Sequence, residues 1–124
     1  MQDYYKYFTK EELQCSHCGE SHMDESFMNY ICTLRERCAF PFIVTSAYRC
    51  KDHPVEAGKA SPGAHTTGKA MDIKVSGKRA WMLIKEATAM NFVGIGVSQK
   101  GDPNSRFVHL DMYIEGPRPA VWSY

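Results

Sequence analysis

Residues 106–114, RFVHLDMYI, constrain the fold more than any other stretch of this chain. Strict alternation over such a run is the mark of a β-strand with two unlike faces. Val108, Leu110, Met112 and Ile114 lie on one face, and Phe107, His109, Asp111 and Tyr113 on the other. An apolar face of that size has to be buried. His109 and Asp111 are thereby carried on a strand near the middle of a small protein. A polar pair buried without partners costs several kcal/mol. A metal ion or a hydrogen-bond network has to meet that demand.

Residues 63–75, GAHTTGKAMDIKV, offer matching side chains. Gly63 and Gly68 let the chain bend sharply around His65. AMDIKV then alternates as a second strand, with Met71, Ile73 and Val75 on one side and Asp72 and Lys74 on the other. A catalytic zinc takes three protein ligands and leaves its fourth position to water. His65, Asp72 and His109 fit that pattern, two from one short segment and one from elsewhere. Taken alone, a buried histidine is more often a hydrogen-bonded structural residue, so both readings stand at this point.

The other elements follow from local signals. Thr9 with Glu12 three residues later forms a capping box that opens a short helix. Over residues 24–38, Phe27, Ile31, Leu34 and Cys38 make the apolar stripe of an amphipathic helix, which Pro41 stops. Residues 42–48, FIVTSAY, are β-branched and aromatic and predict a strand. Residues 50–63 predict a loop with at most one helical turn. Residues 76–90 predict the next helix, with Trp81, Ile84 and Thr88 on one face, joined by Leu83 and Ala87. A short strand over 93–97 and a hairpin-type turn at GDPNS, 101–105, precede the strand first described. The tail, with Pro117 and Pro119, is expected to be irregular until Val121 and Trp122. Two helices and a few strands without βαβ alternation predict an α+β fold: a small antiparallel sheet with two main helices packed on it.

A length of 124 residues suits one domain spanning 1–124, and a monomer is expected. A net charge of +1, with basic residues scattered, argues against nucleic acid or a membrane surface as partner. No apolar run nears the ~20 residues of a membrane helix. The start, MQDYYKYFTKEEL, lacks the basic and apolar regions of a signal peptide, so cytoplasmic synthesis is expected.

Five cysteines cannot all pair, and reduced thiols are the default without an export signal. Cys15 and Cys18, followed by His22, look like half of a zinc knuckle, and Cys50 with His53 repeats the spacing. A structural zinc on Cys15, Cys18, Cys50 and His53 would need the two pairs to meet. The favoured expectation is reduced thiols tying the N-terminal loop to the loop after Arg49, with no second zinc. Cys32 and Cys38 read as small buried hydrophobes. Tyr48, Trp81 and Tyr113 read as core, with Tyr113 also able to border a groove on the His109 face.

Four segments in order, SAYRC at 46–50, GAHTTGKAMDI at 63–73, GIGV at 94–97 and FVHLD at 107–111, resemble the zinc D-Ala-D-Ala carboxypeptidase family. That family shares its fold with the hedgehog signalling domain, and many small members are phage or bacterial cell-wall peptidases. Its S-x-x-R pattern is met at Ser46 and Arg49. Its H-x-x-G-x-A-x-D pattern is met at His65, Gly68, Ala70 and Asp72, and its H-x-D at His109 and Asp111. The resemblance covers about residues 8–113.

It implies zinc on His65, Asp72 and His109. The implied reaction is hydrolysis of an amide in a peptidoglycan stem peptide, by a D-Ala-D-Ala carboxypeptidase or an L-Ala–D-Glu endopeptidase. An endolysin or virion-associated enzyme would act at the cell wall or in the periplasm. Arg49 would bind a substrate carboxylate or the oxyanion, and Ser46 the same end of the substrate. Several relatives carry an acid three residues before the last zinc histidine. Arg106 stands there in this chain and cannot accept a proton. Asp111 remains, as general base or as an acceptor that orients an imidazole, with His53 a further candidate base. The alternative function is a non-catalytic zinc module of the same fold. A redox or metal sensor would need an exposed thiol of low pKa, and no charge pattern around Cys15 or Cys18 indicates one.

Overall fold

The structure is a computed structural model that describes residues 4–59 and 63–124. In chain order the elements are α1 (Lys10–Leu13), α2 (Glu25–Cys38), β1 (Ile43–Ser46), α3 (Pro54–Ala57), β2 (Ala70–Lys74), α4 (Gly77–Ala89), β3 (Gly94–Ser98), β4 (Phe107–Asp111) and β5 (Ala120–Ser123). Short 3-10 turns lie at Tyr4–Lys6, Ala64–Thr67 and Pro103–Ser105. The architecture is α+β.

The helices begin where their caps allow. Thr9 Oγ accepts the Glu12 N–H at 3.2 Å, and the Thr9 N–H donates to Glu12 Oε1 at 2.9 Å, which completes the capping box of α1. Asp24 caps α2 by accepting the Phe27 N–H at 2.9 Å. Ala39 ends α2 in the left-handed region, φ 59°, just before Pro41. The expected stripe is buried, and Met28 and Cys32 join it. Helix α4 differs from expectation. Its buried face is Ala80, Leu83 and Ala87, while Trp81 is 63% exposed. Trp81 sits one residue off that stripe, about 100° round the helix. Its ring lies under Lys85 Nζ, 5.6 Å from the ring centre.

The five strands run in the order β1-β2-β4-β3-β5. The first four pair antiparallel, and β5 pairs parallel with β3. The sheet is therefore mixed, where the sequence predicts an antiparallel one. The extra strand comes from the end of the tail, at the Val121 and Trp122 where irregular structure is expected to stop. Its residues alternate between half-buried and exposed, and Val121 is 73% exposed, so the strand is only an edge of the core. Two strands are shorter than predicted. β4 ends at Asp111, because the Tyr113 N–H turns back to Asp111 Oδ1 at 3.1 Å, and Ile114 is left 68% exposed. β1 stops at Ser46, because the next residues serve other partners: the Tyr48 N–H donates to Leu13 O, and Ala47 O receives the His65 ring. Residues 50–59 hold the single short helix α3. Residues 60–62 of that predicted loop lie outside the described residues.

One apolar cluster joins α2, α4 and the sheet through Phe27, Ile31, Leu34, Leu83, Ile73 and Leu110. Strand alternation then sends Asp72 and His109 to the opposite face. Among the described residues no helix is long and apolar enough to cross a membrane.

Leu34 has no exposed surface and lies far along the chain from the polar face. We expect Leu34→Ala to lower unfolding free energy by ~2–5 kcal/mol, while Trp81→Ala stays within about 0.5 kcal/mol. Urea denaturation of both variants checks this. Equal losses would contradict the burial of α4 described above.

Candidate metal centre

Register builds the centre. Asp72 and His109 are direct partners across the β2–β4 ladder, so their side chains share a face. His65 reaches the same place from the 3-10 turn that leads into β2. That turn ends at Gly68 with φ +75°. A Cβ there would lie 2.8 Å from Asp24 N, so both conformation and space require glycine. The Gly63 backbone is ordinary for any residue, with φ −88°.

The geometry selects one donor atom from each side chain. His65 Nδ1 lies 2.6 Å from Ala47 O. A carbonyl only accepts, so that nitrogen carries the proton and Nε2 keeps its lone pair. Nε2 lies 3.3 Å from Asp72 Oδ1. His109 Nδ1 lies 2.9 Å from the same oxygen, and its Nε2 lies 2.7 Å from Asp111 Oδ2. One donor each from His65, Asp72 and His109 falls within 4.8 Å of the others. Bonds of ~2.0–2.1 Å in a tetrahedral arrangement separate donors by about 3.3 Å. Two imidazoles and a carboxylate at these separations, all buried, fit a zinc ion by number, type and spacing.

The electrostatics agree. Burial pushes the Asp72 carboxyl up, but the adjoining His109 and His65 imidazoles outweigh it and hold the group below the usual carboxylate range. Burial lowers His109, but Asp111 and Asp72 outweigh it and raise the imidazole. Burial also raises Asp111, and His109 and Arg118 bring it down to about 2. Two buried carboxylates thus demand positive charge between them.

Asp111 is fully engaged. Arg118 donates to both of its oxygens, Nε to Oδ1 at 3.0 Å and Nη2 to Oδ2 at 2.8 Å. Gly94 is its register partner on β3, and a Cβ at Gly94 would overlap the Asp111 carboxylate. The first glycine of GIGV therefore makes room for this side chain, while the second, Gly96, makes room for Trp122 and Tyr124. The Arg118 guanidinium also lies 4.8 Å from the Trp122 ring centre, and Trp122 packs on His109 with ring centres 5.2 Å apart. Sequence reasoning missed Arg118 and Trp122, because no periodicity marks the tail that carries them.

Arg49 stands beside the centre. Its Nε donates to Ser46 Oγ at 3.0 Å, its Nη1 to Glu56 Oε2 at 3.2 Å, and its Nη2 lies 3.6 Å from Asp72 Oδ2. Glu56, also missed, is buried and accepts from the Gly63 N–H and Lys59 as well. Nothing in the sequence separates it from a solvated loop acid. A cleft of about 270 Å³ runs past Glu11, Glu12, Ser46, Tyr48, Arg49 and His53.

The remaining candidates fall away from the three donors. Tyr113 lies past the end of β4, 5.5 Å from the Arg118 guanidinium. His53 caps α3, its Nδ1 accepting the Val55 N–H, and its Nε2 meets Ser16 Oγ. Arg106 bonds Gly101 O through Nε and Nη2, closing the β3–β4 loop. Cys32 and Cys38 are buried as expected. Cys15, Cys18 and Cys50 do meet: one sulfur from each lies within 4.8 Å of the others.

A protein-family model described as Peptidase M15 matches residues 6–111. No curated protein matches the chain, and no solved structure matches it.

The hold on Arg49 predicts a pH effect. Burial raises Glu56, but the Gly63 N–H, Lys59 and Arg49 outweigh it and lower its carboxyl. A lowered carboxyl stabilises the fold above its unfolded value of ~4.3, and the contribution is lost as pH falls through the folded value. The stability gap between wild type and Glu56→Gln should be constant near neutrality and shrink below about pH 4.3. Denaturant titrations across that range check it, and a gap unchanged at low pH would contradict it.

Proposed function

Because the chain belongs to the peptidase M15 family, a family of zinc metallopeptidases, we propose that it hydrolyses an amide bond in peptidoglycan stem peptides. The reaction is that of a D-Ala-D-Ala carboxypeptidase or an L-Ala–D-Glu endopeptidase. The observation that carries this reading is the meeting of His65, Asp72 and His109 with one donor atom from each aimed at a common point. Zinc held there supplies a Lewis acid for the scissile carbonyl and acidifies water.

The chain's own groups do the positioning. Ala47 O fixes the tautomer of His65 and so directs its Nε2 lone pair to the centre. Asp111 does the same for His109 by holding Nε2–H, and that frees Nδ1. Arg118 keeps Asp111 ionised and in place. With both oxygens occupied and no exposed surface, Asp111 orients an imidazole rather than carrying a proton.

Arg49 is the group we assign to substrate. Ser46 and Glu56 take one donor each, and the planar guanidinium has five. Those left over suit a substrate carboxylate or the developing oxyanion. Ser46 acts by fixing the Arg49 fork. The cleft beside Arg49 is where an extended peptide would lie.

Digestion of purified peptidoglycan, read by mass spectrometry, tests this. Wild type should release stem-peptide fragments whose masses identify the bond, and His109→Ala should release none. Asp111→Asn should lose ~10–100-fold in activity, with partial recovery in excess zinc, as for a residue that acts through a ligand. Equal release by wild type and His109→Ala would overturn the assignment. A zinc-loaded wild type that cuts no peptidoglycan would instead mark a non-catalytic module of this fold.

A further inference from the structure

The cysteine cluster is separate from the centre just described and has no part in its chemistry. Cys15 and Cys18 lie in the turn after α1, and Cys50 follows Arg49. The two stretches are 35 residues apart in the chain, yet the Cys15 and Cys50 sulfurs are 3.7 Å apart. That separation is far beyond a disulfide bond of ~2.05 Å. It matches the edge of a tetrahedral thiolate site, because Zn–S bonds of ~2.3 Å at a tetrahedral angle put sulfurs about 3.8 Å apart. All three sulfurs lie within 4.8 Å of one another.

A second observation points the same way. Two backbone N–H groups are directed at the Cys15 sulfur, from His17 at 3.4 Å and from Cys50 at 3.3 Å. Amides aimed at one sulfur stabilise it as a thiolate, the form that ligates a metal. Cys15 is buried and Cys18 is exposed, so the cluster opens to solvent on one side. A thiolate at the buried Cys15 calls for a cation to balance it.

We propose that Cys15, Cys18 and Cys50 bind a second, structural zinc ion. The sequence favours reduced thiols without metal, because it does not show the two stretches meeting. The sequence also pairs Cys50 with His53 as ligands, but both nitrogens of the His53 ring have other partners. His53 Nδ1 accepts the Val55 N–H, so a neutral ring carries its proton on Nε2 and donates it to Ser16 Oγ. His53 is therefore not the fourth ligand. The ion's role is a clasp. It ties the turn after α1 to the residue next to Arg49, beside the bond from the Tyr48 N–H to Leu13 O.

The test uses the full chain, reduced, stripped of metal and reloaded with zinc alone. Metal analysis after gel filtration should give about two zinc ions per chain for wild type and about one for Cys18→Ser. His109→Ala should also hold about one and keep the thiolate site. Cobalt substitution should give sulfur-to-metal charge-transfer bands in wild type and His109→Ala, and these should be lost in Cys18→Ser. Because Cys18 is exposed, its replacement leaves the core untouched. In wild type, zinc should also protect Cys18 from iodoacetamide, and chelation should remove the protection.

A wild type that binds a single zinc lost only on His109→Ala, with no sulfur bands and no protection of Cys18, would overturn the proposal. Retention of both zinc ions by His109→Ala, with loss of one in Cys18→Ser, would uphold this site and count against the peptidase centre instead.

Discussion

Asp72 facing His109 across two central strands is the constraint from which the remainder of the molecule follows. A carboxylate and an imidazole buried side by side cannot be left bare, since desolvation would cost more than one contact returns. Every neighbouring element contributes to satisfying them. The turn before β2 brings His65, the segment after β1 brings Ala47 O and Arg49, and β4 itself brings Asp111 two residues on. The apolar cluster on the other face fixes the register that keeps this pairing in place. A shift of one residue would carry His109 into the core and Leu110 out of it.

Much of this was legible in the sequence. RFVHLDMYI and AMDIKV betray their faces by alternation, so the shared placement of Asp72, His109 and Asp111 could be read directly. The long helix α2 showed itself by its stripe of Phe27, Ile31, Leu34 and Cys38, and the short α1 by its capping box at Thr9 and Glu12. Pattern reading erred where side-chain size and stripe position disagree. Trp81 is large and apolar, yet the helix face is set by Ala80, Leu83 and Ala87. Local polar groups decided the strand ends, as when Asp111 recaptures the Tyr113 amide.

What could not be read depends on contacts between distant segments. Glu56 looks like any loop acid until Arg49 and the Gly63 amide are placed on it. The three cysteines are scattered in the chain, and their loops adjoin through contacts no pattern announces, such as the bond from the Tyr48 N–H to Leu13 O and that from the Cys50 N–H to the Cys15 sulfur. Arg118 gives no sign of its partner, because the carboxylate it clamps is seven residues back and around a turn.

The parallel edge strand has a consequence for how this centre can be moved between proteins. The family match ends at Asp111, but β5 lays Trp122 on the His109 ring and the stretch before it delivers Arg118 to Asp111. An engineer grafting the motif-bearing portion alone would transplant the three candidate donors without the ring that packs on His109 and the guanidinium that holds Asp111. The smallest portable unit extends through Ser123, because its last dozen residues hold His109 and Asp111 in place as surely as the strands that carry them.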